Sequence, residues 1–262
     1  MKKWITVAVL VVSIVCYTGI AFAVVTPINV PSQGYPVKIT IPGSYQLQTN
    51  LVVLNANLSA ILVTSANVTI DLNGFAIIGG PLRGVSENGN GTGIGIDASN
   101  KSNIKVYNGT IRGMGGDGIR TGNGAIIESV RVLFNGGNGI YVNGSGTVSG
   151  NMATGNSYSG ILVFGNGTVS GNMATGNGDS GILVFGNGTV SGNTATDNGG
   201  PGIDVIGSGT VSGNTVTGNG KHGIFLGVSA GYFNNVLDNN TGGDVFGGIN
   251  LGHNLCSGLL CP

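Results

Sequence analysis

Charge is what this sequence has least of. Only 8% of its 262 residues are Asp, Glu, Lys or Arg. Once Lys2 and Lys3 are set aside with the leader described below, eight basic side chains face ten acidic ones, a net charge of about −2. There is no basic stripe to neutralise phosphates, so nucleic acid and anionic membrane surfaces are poor candidates for partners. Long apolar runs are also missing. The one from Ile5 to Val15 is too short for a membrane span. It follows Lys2 and Lys3 and precedes Ala21-Phe22-Ala23, the layout of a secretory signal. This predicts a signal peptide over 1–23, cleavage after Ala23, and a mature chain 24–262 without a membrane span. That chain would be secreted to the extracellular space, the cell surface or the periplasm. Cysteine is scarce as well. Cys16 lies in the signal core, which leaves Cys256 and Cys261, with four residues between them, as a local disulfide of an oxidising compartment. His253 alone does not turn that pair into a metal site, and no metal ligand set or cofactor motif is expected. No helical amphipathic stretch occurs after residue 23.

What is abundant is glycine, 52 residues of it, together with asparagine. Glycine at this level can mean disorder. Here it accompanies 40% hydrophobic residues at fixed intervals. The hexapeptide Gly-Thr-Val-Ser-Gly-Asn begins at Gly146, Gly167, Gly188 and Gly209, every 21 residues. Gly-Ile keeps the same period from Gly118 to Gly223. Asparagine keeps it in two columns, Asn135 to Asn240 and Asn151 to Asn235. Each period holds three apolar-alternating runs of three or four residues between Gly/Asn turns, as in 182–185, 189–191 and 194–196. Runs so short are strands. Three strands and three turns per period describe one coil of a β-solenoid. The fold class expected is all-β, a single-stranded right-handed parallel β-helix of about nine to ten coils. Ile140, Ile161, Ile182, Ile203 and Ile224 would stack inward. So would Val148, Val169, Val190 and Val211, and so would Ala153, Ala174, Ala195 and Val216. The asparagines would occupy turns, where they tolerate left-handed geometry, and bond along amide ladders. Residues 24–36 and 252–262 would cap the two ends. The segment 79–92 reads as a loop leaving the coil.

The coils from Gly95 to Asn240, the stretch Asn67-Val-Thr-Ile-Asp-Leu-Asn-Gly-Phe75 and the ending Asn254-Leu-Cys-Ser-Gly-Leu-Leu-Cys-Pro262 resemble the right-handed parallel β-helix repeat proteins. That pectin-lyase-like architecture is found in many secreted bacterial proteins. The resemblance implies a fold and almost nothing about activity, because the fold hosts lyases, hydrolases, spikes and adhesins. Related pectin hydrolases carry Asn-Thr-Asp, Asp-Asp, His-Gly and Arg-x-Lys motifs. Only His222-Gly223 and Thr196-Asp197 match parts of them, and His222 reads as an exposed turn residue. The related lyases use Ca²⁺ and an Arg or Lys base. Asp97, Arg112, Asp117, Arg120, Glu128 and Arg131 form the only charge-dense region that fits that role, and Ca²⁺ enters only under the lyase alternative. Asp97 and Arg120 share a column and are expected to form an ion pair. Outward hydroxyls make a grid: Thr147, Ser149, Thr168, Ser170, Thr189, Ser191, Thr210 and Ser212. Such grids resemble the ice-contacting faces of some solenoids, a third reading. The first reading is a secreted scaffold without an identifiable catalytic centre that binds extracellular polysaccharide. The alternative is a polysaccharide lyase or hydrolase. The sequence leaves the oligomeric state and the ligand's identity open.

Overall fold

The structure is a computed structural model that describes residues 24–80 and 91–261. The signal peptide expected over 1–23 and most of the loop expected over 79–92 lie outside the described residues. Among the described residues there is no helix, and so none long and apolar enough to cross a membrane. The chain winds as a parallel β-solenoid of about 11 turns. One face is a ten-stranded sheet, and the other two faces share a twenty-stranded sheet.

The strands follow the 21-residue period. In one coil they are Ile182–Val184, Thr189–Ser191 and Thr194–Thr196. Each pairs in parallel with the same residues one period away, so Ile140, Ile161, Ile182, Ile203 and Ile224 lie in one column. Within a strand the first and third residues, or the middle one alone, point inward. The Ile, Val and Ala columns read from the sequence are all fully buried. Each buried Ile or Val contributes roughly 1.5–3 kcal/mol of hydrophobic stabilisation.

The turn count exceeds the nine to ten expected. Val25–Ile28, in the segment expected as a cap, already pairs in parallel with Gly43–Leu47 and extends the solenoid. At the other end Leu255–Cys256 still pairs in parallel with Val236–Asp238. Only then does the chain reverse into an antiparallel hairpin with Leu259–Leu260, closed by the Cys256–Cys261 disulfide.

The two asparagine columns are buried hydrogen-bond ladders. Asn156 Oδ1 accepts both the backbone N–H and the Nδ2–H of Asn135. Asn156 Nδ2 donates in turn to Asn177 Oδ1 and to the Val132 carbonyl. The same set repeats through Asn240, and in the second column from Asn151 to Asn254. Every polar atom of a ladder amide therefore has a partner inside the protein, which is what burial requires.

The ladder asparagines do not themselves adopt the left-handed conformation expected of them. The residue before each does. In the second column this is Gly150, Gly171, Gly192, Gly213 and Asn234, with φ between 55° and 63°. A left-handed residue at that point turns the chain so that the following amide faces inward. A Cβ at Gly192 would meet no atom within 4 Å, so its backbone angle alone selects glycine there. Gly181, of the Gly-Ile column, is selected differently. A Cβ there would lie 2.6 Å from Asn198 Nδ2 and from the Gly202 carbonyl.

Two outcomes are expected. Asn193→Ala removes the acceptor of two buried N–H groups of Asn172, at about 1–3 kcal/mol each. Asn187→Ala removes an exposed acceptor that water replaces, so its urea midpoint should stay near that of the parent while that of Asn193→Ala falls. Deleting residues 168–188 removes one whole period and should leave a folded rod. Deleting 168–187 shifts register by one residue and turns the inward set out, so circular dichroism should show the strand signal lost.

Candidate functional site

With the inward positions committed to packing, chemistry is left to the outward side chains. On the ten-stranded face the middle residue of each triplet points out. Parallel register strings these into one column: Lys38, Leu62, Asp97, Arg120, Tyr141, Leu162, Leu183, Asp204, Phe225 and Phe246. Phe164, Phe185 and Ile206 follow their triplets and flank that column. Phe164 and Phe185 stack with ring centroids 4.5 Å apart, and Tyr141 meets Phe164 edge-on at 5.7 Å. Phe225 stacks on Phe246 at 4.9 Å. Phe164, Phe185, Ile206 and Phe246 stay 44%, 36%, 46% and 52% exposed. Only 6% of the chain is aromatic, so a row of open rings on one face is a concentrated feature.

At the N-terminal end of this strip lie three of the charged residues picked from the sequence. Asp97 and Arg120 do share a column, but they do not form the expected ion pair. Arg120 reaches back to Asp117, with Nε at 2.7 Å and Nη2 at 2.6 Å. Asp97 Oδ1 instead accepts from the backbone N–H and hydroxyl of Ser99. Asp117 wins because it is buried and already held by the N–H and Nδ2–H of Asn138. A desolvated carboxylate gains more from the guanidinium than a half-exposed one does. Arg120 also lies over the Tyr141 ring, 5.4 Å from its centroid.

Glu128 is on the second face, where it pairs with Lys105 at 2.6 Å. Arg112 and Arg131 are on the third face, in the registers of Ile78 and Met152. The six candidates are thus divided among three faces and do not converge. On the second face Thr147, Thr168 and Thr189 are exposed, Thr210 is half-buried, and Ser149, Ser170, Ser191 and Ser212 are half-buried. This grid runs into Glu128, Tyr107, Asp71 and Gln46, which continue the serine column. Burial pushes the Asp71 carboxyl up, but hydrogen bonds from Gln46, the Asn73 N–H, Asn108 and Tyr107 outweigh it, and the net shift is downward. Asp71 is consequently a satisfied structural anion.

Asp204 is the opposite case. It stands in the aromatic strip between Leu183 and Phe225, half-buried, and its Oδ1 is buried without a hydrogen-bond partner. Burial, then the Asp179 carboxylate, push its pKa up to about 6, and Lys221 offsets this only in part. His222 is half-buried, not the exposed turn residue expected. Its ring lies 5.1 Å from that of Phe246 and 5.9 Å from that of Phe225, and its Nδ1 has no partner. The sequence reading treated Asp204 as one scattered acid and missed the strip. The usable signal was the spacing of Phe164, Phe185 and Ile206, each 21 residues apart and each following an inward valine.

Among the described residues no group of three or more His, Cys, Asp or Glu side chains is placed to hold a metal ion. An open cavity of about 510 Å³ lies at the C-terminal end, lined by Tyr232, Asp244, Val245, Gly247, Gly248 and the disulfide. The carboxylate of Asp244 is already engaged there by Asn240 and Ser257.

A family model described as "Right handed beta helix region" matches residues 32–170 and 92–242. The chain superposes over 80% of its length on the Azotobacter vinelandii mannuronan C-5 epimerase AlgE4 A-module, with a TM-score of 0.56 and 18% identity. It spans 61% of that structure's length. Against the AlgE6 A-module of the same organism it covers 84% of itself and 72% of the other chain, with 16% identity and a TM-score of 0.45. No curated protein matches the sequence. At such identity the likeness speaks for the course of the backbone alone.

The raised pKa of Asp204 has a consequence for stability. The folded state holds this proton more tightly than the unfolded chain does, so stability falls as pH rises from the ordinary aspartate value of 3.8 through about 6. Asp204→Asn removes that loss. Its melting temperature should exceed the parent's at pH 7 and equal it at pH 3.5 in thermal unfolding followed by circular dichroism.

Proposed function

We propose that this chain, which belongs to the right-handed β-helix family, is a secreted or envelope scaffold that binds polysaccharide along its ten-stranded face. The exposed aromatic strip from Tyr141 to Phe246 carries the reading. Sugar rings present apolar C–H faces and polar edges. Two groups of rings, Tyr141 with Phe164 and Phe185, and Phe225 with Phe246, each stepping by roughly 4.8 Å per coil, offer flat apolar contact, and the Tyr141 hydroxyl and Asp204 offer hydrogen bonds beside them. A straight strip about 24 Å long, spanning five coil intervals, suits a chain of sugars better than a single small molecule. The apolar run before Ala23 and the Cys256–Cys261 disulfide support an oxidising location outside the cytoplasm.

A carbohydrate-active enzyme is the second reading, and Asp204 favours it. A carboxyl with a pKa of about 6 exchanges its proton near neutrality, as general acids and bases do. Under this reading the active residue moves from the Arg112–Arg131 region to the aromatic strip.

Calorimetric titration with a panel of neutral, acidic and amino oligosaccharides tests the binding role. Phe185→Ala should weaken the best ligand roughly tenfold, about 1.4 kcal/mol. Thr189→Tyr, on the hydroxyl face, should leave it unchanged. The reverse pattern would move the site to the Thr/Ser grid. Turnover of any oligosaccharide, with or without Ca²⁺, that disappears in Asp204→Asn would establish the enzymatic reading.

A further inference from the structure

We propose that Asp204 makes the aromatic strip selective for polysaccharides that carry free amino groups. This rests on the binding role proposed above and names the ligand class.

The strip's charges decide it. Asp117 and Arg120 neutralise each other, so this guanidinium is not free to receive an acidic sugar. Around Asp204 the charged and titratable groups are Asp179 on the turn before Ile182–Val184, and Lys221 and His222 on the turn before Ile224–Leu226. Neither Lys221 nor His222 comes within ion-pair distance of Asp204 among the described residues. The Asp204 Oδ1 atom is buried and has no donor inside the protein, so a ligand on the strip acts on this uncompensated carboxylate from its outer, half-exposed side. A uronate carboxylate laid on this strip would face the two acids Asp204 and Asp179 against the single ammonium of Lys221, and like charges in a half-buried setting repel strongly. A neutral hydroxyl would supply a donor and leave the anion's charge uncompensated. An ammonium group supplies both donor and charge, and such charge-assisted bonds are about twice as strong as neutral ones. The ring in register with Asp204, Phe225, adds a π face that attracts the same cation. The carboxylate that is costly in the free protein is therefore matched by a cationic ligand.

The full chain with its disulfide intact is titrated calorimetrically with hexamers of glucosamine, N-acetylglucosamine and galacturonate. At pH 6.5 the glucosamine hexamer should bind at least tenfold more tightly than the N-acetylated one, with the uronate weakest. Asp204→Asn should erase the preference for the free amine, bringing the two hexamers to within about twofold of each other. At pH 4.5 Asp204 holds its proton while the amine stays charged, so the preference should collapse in the parent too. Uronate binding equal to or tighter than amine binding, or an amine preference that survives Asp204→Asn, would overturn the selectivity. If Phe185→Ala still weakened every hexamer in that case, the aromatic strip would stand as the binding face. If none of the hexamers binds, both the selectivity and the binding role fail.

Discussion

The structure depends on a buried amide passing its hydrogen bonds to an identical amide one turn away. A solenoid coil built from triplets of residues buries little apolar area by itself. Its turns bring backbone N–H groups inside, where water cannot reach them. Each ladder asparagine answers this with one oxygen that accepts twice from the coil before and one nitrogen that donates to its neighbours. An interior of low dielectric strengthens such bonds and makes a missing partner expensive. The ladder therefore does more than stabilise. It selects coils that return the next amide to the same place, as the 21-residue coils do and as the shorter step from Asn235 to Asn254 still does.

That constraint explains why the most faithfully repeated letters are the least informative about ligands. Gly-Thr-Val-Ser-Gly-Asn contains a left-handed glycine, a ladder asparagine and an inward valine. All of these are set by the coil. The coil leaves free only the outward columns, and evolution of a binding surface reduces to choosing residues along them. On one face the choice is Thr and Ser for four turns. On the ten-stranded face it is aromatic and aliphatic, interrupted by Lys38, Asp97, Arg120 and Asp204.

How legible each feature was follows from its range. Inward stacks, the amide ladders and the disulfide were readable because period and parity alone place them. The Asp97–Arg120 column was readable for the same reason, but its ion pair was not. Which carboxylate receives a guanidinium depends on burial, and Asp117 is buried and held by Asn138 in the next coil. The left-handed positions were misplaced by one residue, since composition marks asparagine as tolerant and only the fold shows that Gly192 takes the strain from Asn193. His222 could not be recognised as half-buried from its Gly-rich surroundings, because the ring that covers it, Phe246, belongs to the shorter final turn. The added turn was hidden in residues 24–36, which lack the Gly-Ile beat but keep the strand alternation that lets Val25–Ile28 pair.

Asp204 is the point at which local economy fails. The column offers apolar residues on either side, Leu183 below and Phe225 above, and a third apolar residue there would pack without penalty. The chain instead holds a carboxylate whose inner oxygen has no donor and whose nearest charged neighbour of like sign is Asp179. Asp71 shows that this fold can satisfy a carboxylate completely when it serves the coil, with four hydrogen-bonding neighbours around it. A half-buried carboxylate left without such neighbours carries a free-energy cost that a cation at its outer side lowers. Its position in the middle of the only aromatic row among the described residues joins the two requirements of saccharide recognition, a flat apolar platform and a polar group that fixes which sugar lies on it.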